Sequence, residues 1–115
     1  MKYYTGIGSR ICPPLVCELM SAVAEKMERR GYILRSGGAT GADQAFELGV
    51  IHDKNKEIWL PWRNFENNSS PHLPKPEAYT LASKIHPVWS KLTTGAQALH
   101  ARNCHQVLGK DLKTK

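Results

Sequence analysis

The chain has 115 residues, of which 41% are hydrophobic and 23% charged, a composition typical of a single globular domain and a length too short for two. No apolar run approaches the about 20 residues of a membrane span, and "MKYYTGIGSR" lacks a signal-peptide core, so a cytoplasmic protein is expected. Three cysteines without a CxxC pair argue against a disulfide framework. The net charge of +6 favours phosphate-bearing partners, either nucleotides or nucleic acid.

Strand-like and helix-like segments alternate along the chain. The β-forming residues of "KYYTGI" predict a strand over 2–7, and Pro13 and Pro14 suit the first turn of a helix that ends near Arg30, before Gly31. The apolar spacing in this helix predicts one buried face, formed by Leu15, Val16, Leu19, Val23 and Met27. The further elements are predicted as strands over 32–34 and 56–61, helices over 42–48, 76–85 and 94–108, and a long loop over 63–76. This alternation predicts an α/β fold with a parallel sheet and helices on its faces.

Two glycine-rich turns follow the first two predicted strands, "TGIGSR" over 5–10 and "SGGATGAD" over 36–43. Because ligands of open parallel sheets bind at the carboxyl ends of the strands, both turns are expected on one edge of the sheet. The glycines permit close approach of an anion to backbone N–H groups, and each turn leads into a helix N-terminus. The hydroxyl groups of the serine and threonine residues in these turns and the guanidinium group of Arg10 can add hydrogen-bond donors. The predicted phosphate-binding residues are Gly8, Ser9, Arg10, Ser36, Gly37, Gly38, Thr40, Gly41 and Asp43.

Asp43 is the acidic residue of this set. It either complements the dipole at the start of the second helix or binds a ribose hydroxyl beside the phosphate. Glu47, one turn later, is either its partner or a solvated helix residue. Neither turn matches the dinucleotide fingerprint or the Walker loop, so a plain strand-to-helix turn remains the alternative for each.

The other clusters of functional residue types are weaker. His100, Cys104 and His105 lack enough further ligands for a metal site, and nothing in the sequence orients a Cys–His pair as a nucleophile, so no metal and no cofactor is predicted. Trp62 and Phe65 follow the third strand and either stack on a base at the rim of the site or form a hydrophobic cluster in the loop. Arg102 and Asn103 on the last helix either reach the ligand or serve packing.

At "GIGSR", "SGGATGAD" and "EIWLPW" the sequence resembles the SLOG superfamily, and "ARNCHQVLG" over 101–109 resembles a helix of that group. The superfamily includes the DNA-processing protein A family, the LONELY GUY enzymes and small bacterial and phage proteins. The resemblance covers essentially the whole chain and implies a single Rossmann-like domain over 1–115. It also implies a nucleotide site at Gly8, Ser9, Arg10, Ser36, Gly37, Gly38, Gly41 and Asp43.

The sequence departs from the enzymatic members of that superfamily in one segment. Their "PGGxGTxxE" motif, which carries a catalytic glutamate, has no counterpart here, and neither has the strand expected after residue 109. The resemblance therefore implies a fold shortened at its C-terminus, with the first strand at an open edge that a second copy covers in a homo-oligomer.

The leading hypothesis is a protein that senses or sequesters a nucleotide or nucleotide derivative. The alternatives are a single-stranded nucleic-acid-binding module and an N-glycosidic hydrolase that uses Asp43 or Glu47.

Overall fold

The computed structural model describes residues 1–113, so the last two residues of the domain predicted over 1–115 lie outside the described part. This part of the chain contains three strands and four α-helices. Strands and helices alternate up to the third strand, and two helices follow it. In chain order they are β1 (Lys2–Thr5), α1 (Pro14–Arg29), β2 (Tyr32–Ser36), α2 (Ala42–Leu48), β3 (Lys56–Ile58), α3 (Pro76–Ile85) and α4 (Thr94–Leu108). Short 3-10 turns cover Asp53–Asn55, Phe65–Asn67 and Trp89–Lys91. No helix within residues 1–113 is long and apolar enough to span a bilayer.

The strands form a parallel sheet in the order β1-β2-β3. Right-handed crossovers place α1 and α2 together on one face of the sheet. The other pair, α3 and α4, packs together, and α4 contacts β1 and β2. The predicted α/β fold with helices on both faces of a parallel sheet is therefore confirmed.

Strand β2 is buried on both faces. Leu34 belongs to the hydrophobic core beneath α1 and α2, together with Ala24 and Val50. Arg35 points to the opposite face, where its guanidinium lies 3.9 Å from the Tyr3 ring centroid and 3.6 Å from a Glu57 carboxylate oxygen. One face of the central strand is therefore apolar, whereas the other holds a buried ion pair.

The prediction for the buried face of α1 is wrong for Leu15, Val16, Leu19 and Val23, which are exposed, whereas Met27 is half-buried. Leu15, Leu19 and Val23 are 77%, 64% and 43% exposed, whereas Ala24 is fully buried and the Ser21 hydroxyl donates to the Ala45 carbonyl of α2 at 2.7 Å. The helix thus presents small side chains to the interior, and its large apolar side chains lie on the side away from α2.

Strand β3 ends at Ile58, before the predicted residue 61. Trp59 and Leu60 remain buried, and both also pair with the loop that follows. The Trp59 N–H still donates to the Ser36 carbonyl of β2 at 2.8 Å, while Trp59 bridges to His72 and the Leu60 N–H donates to the His72 carbonyl at 2.9 Å. The predicted loop over 63–76 therefore folds back along β3 and protects that edge of the sheet.

Candidate functional site

The two glycine-rich turns contact each other at the carboxyl edge of the sheet. The Ala42 N–H donates to the Ser9 carbonyl at 3.0 Å, so the first turn satisfies a free donor at the start of α2. Gly41 has a φ of 92°, and a Cβ there would overlap the backbone of Ser9 and Arg10. The structure therefore brings the two predicted turns together into one unit.

A groove of about 310 Å³ opens between this unit and α4. Of the predicted phosphate-binding residues, Gly8, Arg10 and Asp43 line this groove. Helix α4 adds Arg102 and Asn103, for which the sequence left open whether they reach the ligand or serve packing. The complete lining is Ile7, Gly8, Arg10, Ala39, Asp43, Arg102, Asn103, Gln106 and Val107.

Asp43 is the buried carboxylate of the groove, with 5% of its surface exposed. Its Oδ2 accepts a hydrogen bond from the Ala39 N–H at 3.4 Å, and the Gly8 N–H also donates to the carboxylate. Burial raises the pKa of Asp43, while the positive charge of Arg102 and these two backbone donors oppose the rise. The Gly8 N–H, which belongs to the predicted phosphate-binding set, is thus directed at Asp43.

Arg102 carries the charge opposite Asp43 and is equally buried, at 5% exposure. Its Nη1 donates to the carbonyls of Gly37 at 2.5 Å and Trp59 at 3.2 Å, and its Nε donates to the Asn103 side chain at 2.9 Å. Burial lowers the pKa of Arg102 and Asp43 raises it. An arginine stays charged in proteins, so this group is a fixed cation at the wall of the groove.

Several predicted phosphate-binding residues lie behind or beside the groove and do not line it. The Ser36 hydroxyl is fully buried and donates to the Gly6 carbonyl at 2.6 Å, and the Thr40 hydroxyl donates to Glu66 at 3.1 Å. The Ser9 hydroxyl accepts from the Ile11 N–H at 3.1 Å. Gly38 lies against Leu60. These residues shape the turns.

Gly37 lies directly behind the groove. A Cβ on this residue would lie 2.7 Å from the Asp43 Oδ2 and would also overlap Arg102 and Gln106. The missing side chain therefore makes room for the charged pair itself, and the glycine has a steric role in this turn.

Trp62 and Phe65 form an edge-to-face pair with centroids 5.3 Å apart. Phe65 is part of the hydrophobic core, and the half-exposed Trp62 ring lies 3.6 Å from the position of a Cβ on Gly95. Neither residue lines the groove, so this arrangement corresponds to the hydrophobic cluster rather than to a base-stacking platform at the rim.

The remaining candidates are engaged elsewhere. Glu47 pairs with Lys56 at 3.2 Å and accepts from Asn68 at 3.1 Å, away from the groove. The His105 Nε2 accepts from the Lys75 N–H at 3.1 Å, so its Nδ1 carries the proton and donates to the Gly109 carbonyl at 2.8 Å. The same ring stacks on Trp59 at 4.2 Å. Within residues 1–113, no group of three or more His, Cys, Asp and Glu side chains is arranged so that it could hold a metal ion.

Arg102 is a groove residue for which the sequence left open whether it reaches the ligand or serves packing. It follows Ala101, which is fully buried, and Ala98, one turn earlier, is buried as well. Small residues at helical spacing mark the face of α4 that packs against the sheet, and an arginine next to that face must be paired. This signal was available in the sequence.

The chain matches no family model, no curated protein and no solved structure.

Proposed function

We propose that the groove binds a nucleotide or nucleotide derivative, which the protein senses or sequesters. The observation that carries the proposal is the charge of the groove: two guanidinium groups, Arg10 and Arg102, share one buried carboxylate, Asp43. The excess positive charge suits a phosphate, because guanidinium groups bind phosphate oxygens in a planar, two-pronged geometry.

Each groove residue has a distinct part in this proposal. Arg10 is exposed on the first turn and binds the phosphate. A Cβ on Gly8 would lie 2.7 Å from the Ala42 Cβ, so this glycine lets the first turn approach the start of α2. Asp43 accepts a hydrogen bond from a ribose hydroxyl, as acidic residues do in dinucleotide-binding folds. The volume of about 310 Å³ is at the small end of ligand pockets and suits a mononucleotide. Membership of the SLOG superfamily is part of the same proposal.

Isothermal titration tests this proposal with AMP, ADP, ADP-ribose and a single-stranded oligonucleotide. We expect one of the small ligands to bind and Arg10→Ala to weaken that binding at least about tenfold, the loss of one charge-assisted hydrogen bond. Arg29→Ala is the matched control, because Arg29 pairs with Glu25 on the outer surface of α1. Binding of the oligonucleotide alone, with a steep salt dependence, would favour the nucleic-acid module instead. No binding to any ligand would refute both.

A second candidate function is hydrolysis of an N-glycosidic bond. The Asp43 carboxyl group lies in the groove, and burial raises its pKa, which is the direction that a general acid requires. Incubation with each nucleotide followed by chromatography tests for free base. Release that persists in Asp43→Asn would exclude Asp43 as the acid.

We also propose that the protein is a homo-oligomer in which a second copy covers the β1 edge. The Gly6 N–H donates to the Arg35 carbonyl at 3.0 Å, so by strand alternation the peptide groups of Tyr3 and Thr5 face away from β2. Within residues 1–113, β1 pairs with β2 alone. The exposed apolar side chains of α1 lie on the side away from α2. An unpaired strand and an exposed apolar helix face each favour association.

A further inference from the structure

Two cysteines flank the start of α1. Pro13 is the N-cap residue of this helix and Pro14 its first residue, so Cys12 occupies the position before the cap and Cys17 the fourth helical position. Residues at these two positions commonly pack against each other and fix the angle at which the chain enters the helix. In this chain both of them carry thiols.

The observed contacts agree with this arrangement. The Cys17 thiol donates to the Cys12 carbonyl at 3.6 Å, so the Cys17 side chain lies against Cys12. The Cys12 sulfur lies 3.9 Å from the Met20 sulfur, one turn further along α1. Both cysteines are free and partly exposed, so an oxidant in solution has access to them.

We propose that Cys12 and Cys17 form a site of reversible oxidation, at which hydrogen peroxide converts the two thiols into an intramolecular disulfide. The thiolate of one cysteine attacks one peroxide oxygen and the O–O bond breaks, which gives a sulfenic acid and, after proton transfer, one water molecule. The sulfur of the other cysteine then attacks the sulfenic sulfur, the new S–S bond forms, and the hydroxyl group takes the proton of that thiol and leaves as a second water. Both electrons that reduce the peroxide come from the two thiols.

The two side chains also interact with each other: a side-chain hydrogen bond with Cys17 is the first cause that raises the pKa of Cys12, and burial adds to it.

The disulfide has a consequence for the groove, and this part of the inference rests on the proposed function. An S–S bond is about 2.0 Å long, so its formation draws Cys12, in the segment between the first turn and α1, towards α1. Arg10, at the end of the first turn, lies two residues before Cys12. We expect oxidation to change the affinity for the nucleotide at least about threefold, a shift of about 0.65 kcal/mol.

Peptide mapping of the full chain tests the disulfide without reference to the ligand. Cleavage after Arg10 and Lys26 places both cysteines on one tryptic peptide, 11–26, and Cys104 on another. After equimolar hydrogen peroxide, we expect peptide 11–26 to be lighter by two hydrogen atoms and to return to its original mass with dithiothreitol. In Cys12→Ser, dimedone should trap a sulfenic acid on Cys17.

The matched control is Cys104→Ser, which leaves the pair as the only two thiols in the chain. It should lose both free thiols at the wild-type rate. Peptide 11–26 remaining a dithiol, or disulfide-linked dimers replacing the internal bond, would overturn the inference. A disulfide that forms in a protein without nucleotide affinity would refute the proposed function and leave the oxidation site standing.

Discussion

The guanidinium of Arg102 donates a hydrogen bond to the main-chain carbonyl of Gly37 at 2.5 Å and thereby joins α4 to the second glycine-rich turn. A second bond from the same nitrogen reaches the Trp59 carbonyl at 3.2 Å, just beyond β3. One side chain thus connects the chain segments that follow two neighbouring strands. The cation that we assign to ligand binding is also a structural link.

Removal of this link should destabilise the protein strongly. Arg102→Ala leaves the Asp43 carboxylate buried without its main counter-charge and two carbonyls without their donor, which costs about 3–5 kcal/mol in the free energy of unfolding. Arg29→Ala, on the surface of α1, should change it by no more than about 0.5 kcal/mol. Urea unfolding measures both. Equal effects of the two substitutions would mean that the Arg102 contacts are not formed.

Gly49 should tolerate no larger residue. Its φ of −77° suits any amino acid, but a Cβ there would overlap the Ser21 carbonyl of α1 and lie 2.9 Å from the Ala24 Cβ. We expect Gly49→Ala and Gly49→Asn each to cost at least about 1–3 kcal/mol, the range for overpacking a close contact.

Gly31 provides the matched comparison for Gly49. It has a φ of 85° and no atom within 4 Å of a Cβ position, so the strain there is conformational and not steric. Gly31→Ala should cost about 1–2 kcal/mol and Gly31→Asn less, because Asn tolerates this backbone conformation. If Asn were less destabilising than Ala by the same amount at both positions, close contact between α1 and α2 would not explain the requirement for glycine at position 49.

Stability should fall in mild acid because of His105. Burial is the main cause that lowers the pKa of this residue, whose Nε2 accepts the Lys75 N–H, and burial likewise lowers the pKa of His72. A folded-state pKa below the unfolded value of about 6.5 means that the unfolded chain binds the proton more readily. The contribution is therefore complete above about pH 6.5 and is lost as the pH falls through the lowered value.

Urea unfolding at pH 7.5, 6.5 and 5.5 measures this loss, which is at most about 1.4 kcal/mol per pH unit for each histidine. His105→Gln should be less stable at pH 7.5 and show a smaller decline below pH 6.5. The raised pKa of Asp43 has the opposite effect on stability. The folded state takes up this proton more readily than the unfolded chain, so the fold gains stability as the pH falls towards the ordinary pKa of the group, about 3.9. If the free energy of unfolding of His105→Gln declined as steeply below pH 6.5 as that of the wild type, the loss of stability would be due to another group.

The exposed side of α1 should respond to charge if a second copy covers it. Sedimentation at micromolar concentration should show a dimer or larger species, and Leu19→Glu should convert it to monomer, because an unpaired carboxylate cannot be buried in an apolar interface. Glu25→Gln, on another side of the same helix, should leave the sedimentation coefficient unchanged. A wild-type monomer would contradict the proposed homo-oligomer.

The sequence was sufficient to predict the order of elements and the meeting of the two glycine-rich turns, because both follow from periodicity and from the parallel arrangement of strands. It was not sufficient to orient α1. Apolar spacing identified Leu15, Leu19 and Val23 as one face, but the helix turns Ser21 and Ala24 inward because Gly49 lets α2 approach closely. Such a fit depends on residues far apart in the chain and leaves no local pattern.

The prediction for Ser36 shows a similar limit. A serine in a glycine-rich turn has the right chemistry for a phosphate, yet here its hydroxyl is bonded to the Gly6 carbonyl of the neighbouring turn. The identity of the residue indicates what it can donate, whereas the direction of the donor depends on tertiary packing. Gly8, Arg10 and Asp43 line the groove because the two turns contact each other.

The bond from the Ala42 amide to the Ser9 carbonyl gives this protein a native-state probe. Hydrogen exchange at that single amide requires the first turn to separate from the start of α2, so its rate reports how often the two turns come apart. The exchange of one backbone proton thus follows the opening of the groove without any substitution or attached reporter group, and a ligand that holds both turns together would slow it.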